Sequence, residues 1–143
     1  MEIKLKKLDE RAKLPTRGSE MAAGMDLYAL DEVTVGAGET VLVHTGIALA
    51  IPEGYAGFIY ARSGLATKKG LAPANKVGVV DADYRGEIMV ALHNHGTVPQ
   101  TLDAGERVAQ MVIAPFLAVE FTETDTLDDT LRATGGFGST GRR

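Results

Sequence analysis

The sequence predicts an all-β barrel or sandwich with one short helix, and three observations predict it. Apolar residues recur with a period of two over most of the chain. Gly or Pro punctuates most of the gaps between those runs, and only one segment, near the middle, reads as helix. Alternation places every second side chain on one face of a strand, and closely spaced breakers keep the strands short. Many short strands at this spacing pack as sheet on sheet.

Taken in order, Ile3 and Leu5 alternate with Lys4 and Lys6, as in a strand with one wet face. Segments 33–35, 41–43 and 55–60 are short β-rich runs, and Ile47, Leu49 and Ile51 alternate with Ala48 and Ala50. Segment 62–69 is the helix, with Ser63 near its start; two turns make it an insertion in a β fold. Segments 77–80 and 108–121 are apolar and β-branched, and Ile88, Val90 and Leu92 alternate with Met89, Ala91 and His93. The breakers are Gly36 and Gly38, Pro52 and Gly54, Gly70 and Pro73, Gly96 and Pro99, and Gly105. From residue 122 onward only Leu127, Leu131 and Phe137 are sizeable apolar residues, too few to bury the tail.

The 143 residues suffice for one domain with a core and are too few for two ordinary ones. A net charge of −4 and a pI near 5.3 argue against stable nucleic-acid binding, which calls for a basic field. The chain has no cysteine, which removes disulfides, thiolate catalysis and cysteine-held zinc and suits a reducing cytoplasm. The N-terminus alternates Lys with apolar residues and lacks a signal-peptide core. No run approaches the roughly 18 apolar residues of a membrane span. A cytoplasmic protein without membrane contact is the expectation.

Five segments can carry chemistry, each with a plainer reading beside it. Gly136-Phe137-Gly138-Ser139-Thr140-Gly141 satisfies GxGxxG but has no preceding strand and no room for a following helix, so it is no dinucleotide fingerprint. Its glycine N–H groups and the Ser139 and Thr140 hydroxyls can converge on an anion, with positive charge from Arg132 and Arg142 and a stacking surface from Phe137. The alternative is a frayed terminus. Arg62-Ser63-Gly64-Leu65-Ala66 suits a polyphosphate at a helix mouth, or is a capping Ser beside a solvated Arg.

Segment 78–87 holds Asp81 and Asp83 behind a buried strand, a candidate general base or a polar turn. Gly105 to Gln110 is a turn entering a strand, and Gln110 needs partners, either backbone groups or a ligand. Ala23 to Ala29 is a Gly-Xaa-Asp turn opening a strand. His93 and His95 stand at strand spacing without an obvious third metal ligand, and no GK[ST] phosphate loop is present.

In this order and spacing the five segments resemble the five motifs of the homotrimeric deoxyuridine triphosphate pyrophosphatase (dUTPase) family. RSGLA, VDADYRGE and GGFGSTG carry the resemblance, which spans residues 24–141. It implies a distorted jelly-roll β-barrel over residues 1–121. It also implies a flexible C-terminal arm over residues 122–143 that closes a neighbouring subunit's site. The implied reaction is Mg2+-dependent hydrolysis of dUTP to dUMP and pyrophosphate, which keeps uracil out of DNA and supplies dUMP for thymidylate synthesis.

By the same resemblance Asp81 orients and deprotonates the attacking water and binds the 3′-hydroxyl. Tyr84 packs under the deoxyribose and leaves no room for a 2′-hydroxyl. Asn75 and the backbone around Val79 and Val80 pair with uracil, with a backbone contact at Met89 in the same wall. Arg62, Ser63, Gly64 and Gln110 hold phosphate, and Arg132, Phe137, Gly138, Ser139 and Thr140 form the arm, with Phe137 stacked on uracil. Mg2+ is held by triphosphate and water, with Asp26 supporting it and no direct protein ligand. The family's last motif begins Arg-Gly, whereas this chain has Arg132-Ala133, and Ala restricts positive φ. The nearest alternatives are a dCTP deaminase of the same fold, which needs an added general-base Glu and a different central hairpin, and a catalytically silent dUTP-binding trimer.

Overall fold

The computed structural model describes residues 1–141. Eleven strands and one helix follow each other as β1 (Lys4–Lys7), β2 (Thr16–Arg17), β3 (Met25–Tyr28), β4 (Val33–Val35), β5 (Thr40–Ala50), β6 (Tyr55–Tyr60), α1 (Ser63–Lys69), β7 (Leu71–Pro73), β8 (Gly78–Val80), β9 (Glu87–Asn94), β10 (Gln100–Leu102) and β11 (Arg107–Pro115). They form a four-stranded sheet ordered β1-β5-β9-β7, a five-stranded sheet ordered β2-β3-β11-β6-β8 and a two-stranded ribbon of β10 and β4. Every pairing is antiparallel. This is the expected distorted jelly roll, although among the described residues no ladder joins the two large sheets into a closed barrel.

The core lies between the sheets, where Leu27, Ile47, Leu71, Ile88, Leu92 and Leu102 are fully buried. Each such side chain contributes about 1.5–3 kcal/mol through removal from water. The alternation read in β9 is realised, with Ile88, Val90 and Leu92 inside and Met89 outside. The run at 41–43 and residues 47–50 of the next run are parts of one 11-residue strand, β5, which ends before Ile51. A register shift between His44 and Ala48 bends it, and Gly46 supplies the left-handed turn at φ 71°.

The helix is one residue shorter than predicted. Arg62 stands at the N-cap in extended conformation, Ser63 is the first helical residue, and no side chain caps the end. Gly70 closes the helix in the left-handed region at φ 67°, as a C-terminal glycine does. The apolar run at 108–121 does not form one strand. β11 stops at Pro115, and Phe116, Leu117, Val119 and Phe121 continue as exposed irregular chain with no strand beside them. From there to residue 141 the chain has only turns and bends.

Candidate active site

Two clefts and the tail share out the predicted site residues. The first cleft, of about 300 Å³, is built by the connection that carries the chain from β7 in one sheet to β8 in the other, the turn after β8, and β9. Asn75, Val79, Val80, Asp81, Tyr84 and Met89 all line it. That connection turns tightly, with Lys76 N–H donating to the Pro73 carbonyl (3.1 Å) and Val77 N–H to that of Asn75 (2.7 Å). Lys76 takes the left-handed conformation at φ 65°, which costs a non-glycine residue about 1–2 kcal/mol. β8 is held on β6 through Val80 opposite Gly57 and Val79 opposite Phe58. Val80 therefore points into the core while Val79 stays exposed.

The strand ends at Val80, so Asp81 and Asp83 sit in a turn closed by Tyr84 N–H donating to the Asp81 carbonyl (3.1 Å). Asp81 is exposed, and its carboxylate makes no hydrogen bond or ion pair among the described residues. Tyr84 folds back so that its hydroxyl donates to the Glu87 carbonyl (2.9 Å). Glu87 is fixed in turn, because its carboxylate accepts from Gly46 N–H (2.9 Å) and pairs with His44 Nδ1 (2.9 Å). An apolar wall, a braced aromatic ring and a free carboxylate at the rim suit a flat uncharged ring bearing a reactive group just outside.

The second cleft, of about 190 Å³, gathers Asp26, Arg62, Ser63, Gly64 and Gln110, with Gly24 beside them. β3 supplies Asp26, the N-terminus of α1 supplies residues 62–64, and β11 supplies Gln110. Asp26 is largely buried, accepting from Arg62 Nε at 2.9 Å and lying 3.4 Å from Arg107 Nε. One carboxylate thus aims two guanidinium groups. Tyr28 and Asp26 beside it raise the pKa of Arg107, so its charge is permanent. Gln110 has its predicted partner in the backbone, Nε2 donating to the Ala61 carbonyl (2.9 Å), while its other amide hydrogen is left for a ligand. A side chain at Gly24 would collide with Gln110 Oε1, so this glycine leaves the amide its place. The Arg62 guanidinium, with the first N–H groups of α1 and no acidic residue in its first turn, favours an anion.

The two clefts share no lining residue. Neither includes Arg132, Phe137, Gly138, Ser139 or Thr140, all exposed in the tail. The tail has local order only: Arg132 Nε donates to the Gly135 carbonyl (2.8 Å), and Ser139 N–H donates to that of Gly136 (3.0 Å). Ala133 adopts φ 48° and Phe137 φ 50°, so Ala stands in the left-handed conformation where the family pattern has Gly. Arg142 lies outside the described residues.

Sequence reasoning missed Arg107 and Glu87 as parts of the two sites. The signal for Arg107 was its place two residues after the Gly105 turn, on a strand that also carries Gln110. Asp26 pairs with Arg62 across 36 residues, a separation that no local pattern reveals. His93 and His95 stack edge to face at 4.5 Å between ring centres, and His93 Nδ1 is bonded to Thr40 Oγ1 (2.8 Å). Asn94 between them is fully buried and holds the Val35 and Val98 carbonyls and Gly96 N–H. The His93–His95 segment is therefore a turn anchor. Among the described residues no three His, Asp or Glu side chains converge as a metal site.

A family model described as dUTPase matches residues 10–141. Deoxyuridine 5'-triphosphate nucleotidohydrolase of Desulfitobacterium hafniense is 52% identical over 136 residues, covering 93% of this chain and 90% of that protein. The protein of the same name from Rickettsia bellii is 48% identical over 143 residues, covering 98% and 95%. The Staphylococcus bacteriophage 80alpha dUTPase solved with dUpNHpp superposes with a TM-score of 0.92 at 26% identity, covering 98% of each chain. With matches over nearly its whole length, the chain belongs to the dUTPase family.

Proposed function

We propose that this protein hydrolyses dUTP to dUMP and pyrophosphate with Mg2+, as a cytoplasmic homotrimer. The observation that carries the reading is the first cleft, where the unpaired Asp81 carboxylate stands at the rim of a wall made by Asn75, Val79, Val80, Tyr84 and Met89. In this reading uracil lies against the connection from β7 to β8, whose backbone donors and acceptors reject cytosine by pattern and thymine by shape. The Tyr84 ring lies under the deoxyribose, and the 3′-hydroxyl reaches Asp81.

Asp81 then takes a proton from a water molecule as that oxygen bonds to the α-phosphorus. The bond from the α-phosphorus to the bridging oxygen breaks, and pyrophosphate leaves with that oxygen. Arg62, Ser63, Gly64 and Gln110 neutralise and orient the phosphates, which is most of what such a reaction asks of a protein. The Asp26 carboxylate is engaged by Arg62 and Arg107, and a metal in this reading would arrive on the triphosphate. Asp26 would bear on such a metal only indirectly, by orienting Arg62 and Arg107 toward the phosphates that carry it. Bound there, Mg2+ supplies charge neutralisation on the phosphate oxygens.

Trimer formation is supported by the two clefts having no lining residue in common, an arrangement in which different copies can each supply one of them. It is also supported by the exposed apolar stretch Phe116, Leu117, Val119 and Phe121, which this chain does not cover. The arm, with Arg132 and residues 137–140, closes over a neighbour's site, Phe137 stacking on uracil and Gly138, Ser139 and Thr140 meeting phosphate. Among the described residues no helix is long and apolar enough to cross a membrane. The test is pyrophosphate release from dUTP, dTTP, dCTP and UTP, with and without Mg2+. Release from dUTP alone, dependent on Mg2+, is expected; ammonia release from dCTP would overturn the reading.

A further inference from the structure

Resting on the reading just given, in which the Tyr84 ring excludes a ribose, we propose that Gly86 is the positioning residue that sets this ring and hence the discrimination between dUTP and UTP. A Cβ built on Gly86 would overlap Oη and Cζ of Tyr84 and stand 2.9 Å from Cε1, closer than real Cβ atoms come to a neighbour. Gly86 is not among the glycines at positive φ, so its backbone suits any residue. What the position requires is the space that a side chain would fill. The ring lies across the Gly86 backbone with its hydroxyl on the Glu87 carbonyl at 2.9 Å.

That carbonyl is itself immobilised. Glu87 pairs with Ala48 across the sheet, and its carboxylate is held by Gly46 N–H and His44. The preceding turn is tied as well, since Arg85 Nη1 donates to the carbonyls of Ala82 (2.6 Å) and Tyr84 (3.0 Å). The backbone on both sides of the ring is thus anchored. A methyl group at residue 86 moves the ring rather than the chain, and a displaced ring opens the space a 2′-hydroxyl needs.

The test is the ratio of kcat/KM for dUTP to that for UTP. Gly86→Ala is expected to lower it by about tenfold or more, a change of the size that one misplaced group makes in a selective pocket. In a Tyr84→Ala background the same substitution has no ring to displace, so a further change below about twofold is expected. Tyr84→Phe, which keeps the ring and removes its tether, should lower the ratio by less than Gly86→Ala and keeps the idea testable if Gly86→Ala does not fold. An unchanged ratio in either Gly86→Ala or Tyr84→Phe overturns the proposal, as does an equal effect of Gly86→Ala with and without the ring. Parent protein that fails to release pyrophosphate from dUTP overturns the underlying reading instead, which separates the two failures.

Discussion

Asp26 links the fold to the second cleft, and replacing it separates the two contributions. Its carboxylate is 13% exposed and bonds Arg62 Nε at 2.9 Å, while Arg62 is itself 29% exposed. A hydrogen bond between charged groups in such a setting contributes about 1.5–3 kcal/mol. The Arg107 contact is longer, at 3.4 Å, and half open to water, so it adds little. Asp26→Ala should therefore destabilise the fold by about 1.5–3 kcal/mol, a fall in melting temperature of about 5–10 °C. Asp26→Asn keeps an acceptor for Arg62 without the charge and should lose about half as much. Freed from its anchor, Arg62 samples other rotamers, so the KM for dUTP should rise about tenfold in Asp26→Ala with a smaller change in kcat. Urea unfolding and steady-state pyrophosphate release measure the two effects. In an Arg62→Ala background most of both should disappear. Unfolding of Asp26→Ala within 0.5 kcal/mol (about the spread of ordinary surface substitutions) together with an unchanged KM would refute the assignment.

Other outcomes follow from the same contacts. Asn94→Ala removes a fully buried side chain that bonds the Val35 and Val98 carbonyls and Gly96 N–H, and should cost about 3 kcal/mol or more, read by urea unfolding. Ala133→Gly relieves a φ of 48° and should stabilise that turn by about 1 kcal/mol, raising kcat/KM a few-fold if arm closure limits it. Deletion of residues 132–143 should leave the trimer intact by light scattering and lower kcat/KM by about two orders of magnitude; monomers would show the arm to be structural. Desolvation, Lys76 and His93 all hold the pKa of His95 below its usual 6.5, so folding favours its neutral form. Its contribution to stability is therefore complete above pH 6.5 and lost as pH falls from there through the folded value. A proton NMR titration of His95 with a midpoint at or above the usual value would contradict this.

Part of the strand pattern was legible because alternation is local: β9, β6 and β4 fall where their apolar residues place them, and α1 ends on Gly70 as its sequence requires. The short strands β2, β7 and β10 carry too few residues to show a period, and Pro73, read as a breaker, ends β7. The union of two runs into β5 was not legible, because His44, Thr45 and Gly46 interrupt the apolar pattern that the strand carries across through a bulge. Nor was the end of β11, since the apolar residues after Pro115 look like strand and, past the bond from Phe116 N–H to the Gly54 carbonyl, have no strand paired with them among the described residues. The two clusters of site residues were legible only as motifs in order. Their bracing was not, because Asp26 to Arg62, Glu87 to Gly46 and Gln110 to Ala61 join residues distant in sequence. Arg107 escaped for the same reason: its pairing with Asp26 exists only once β3 and β11 lie side by side.

The central claim is that the free Asp81 carboxylate removes the proton from the attacking water. Asp81→Asn keeps the shape of the side chain and removes the base. Its kcat on dUTP should fall by about 10²–10⁴, the usual contribution of a positioned general base. Binding of a non-hydrolysable dUTP analogue, measured by calorimetry, should stay within a few-fold of the parent. Turnover near the parent rate in Asp81→Asn would contradict the account.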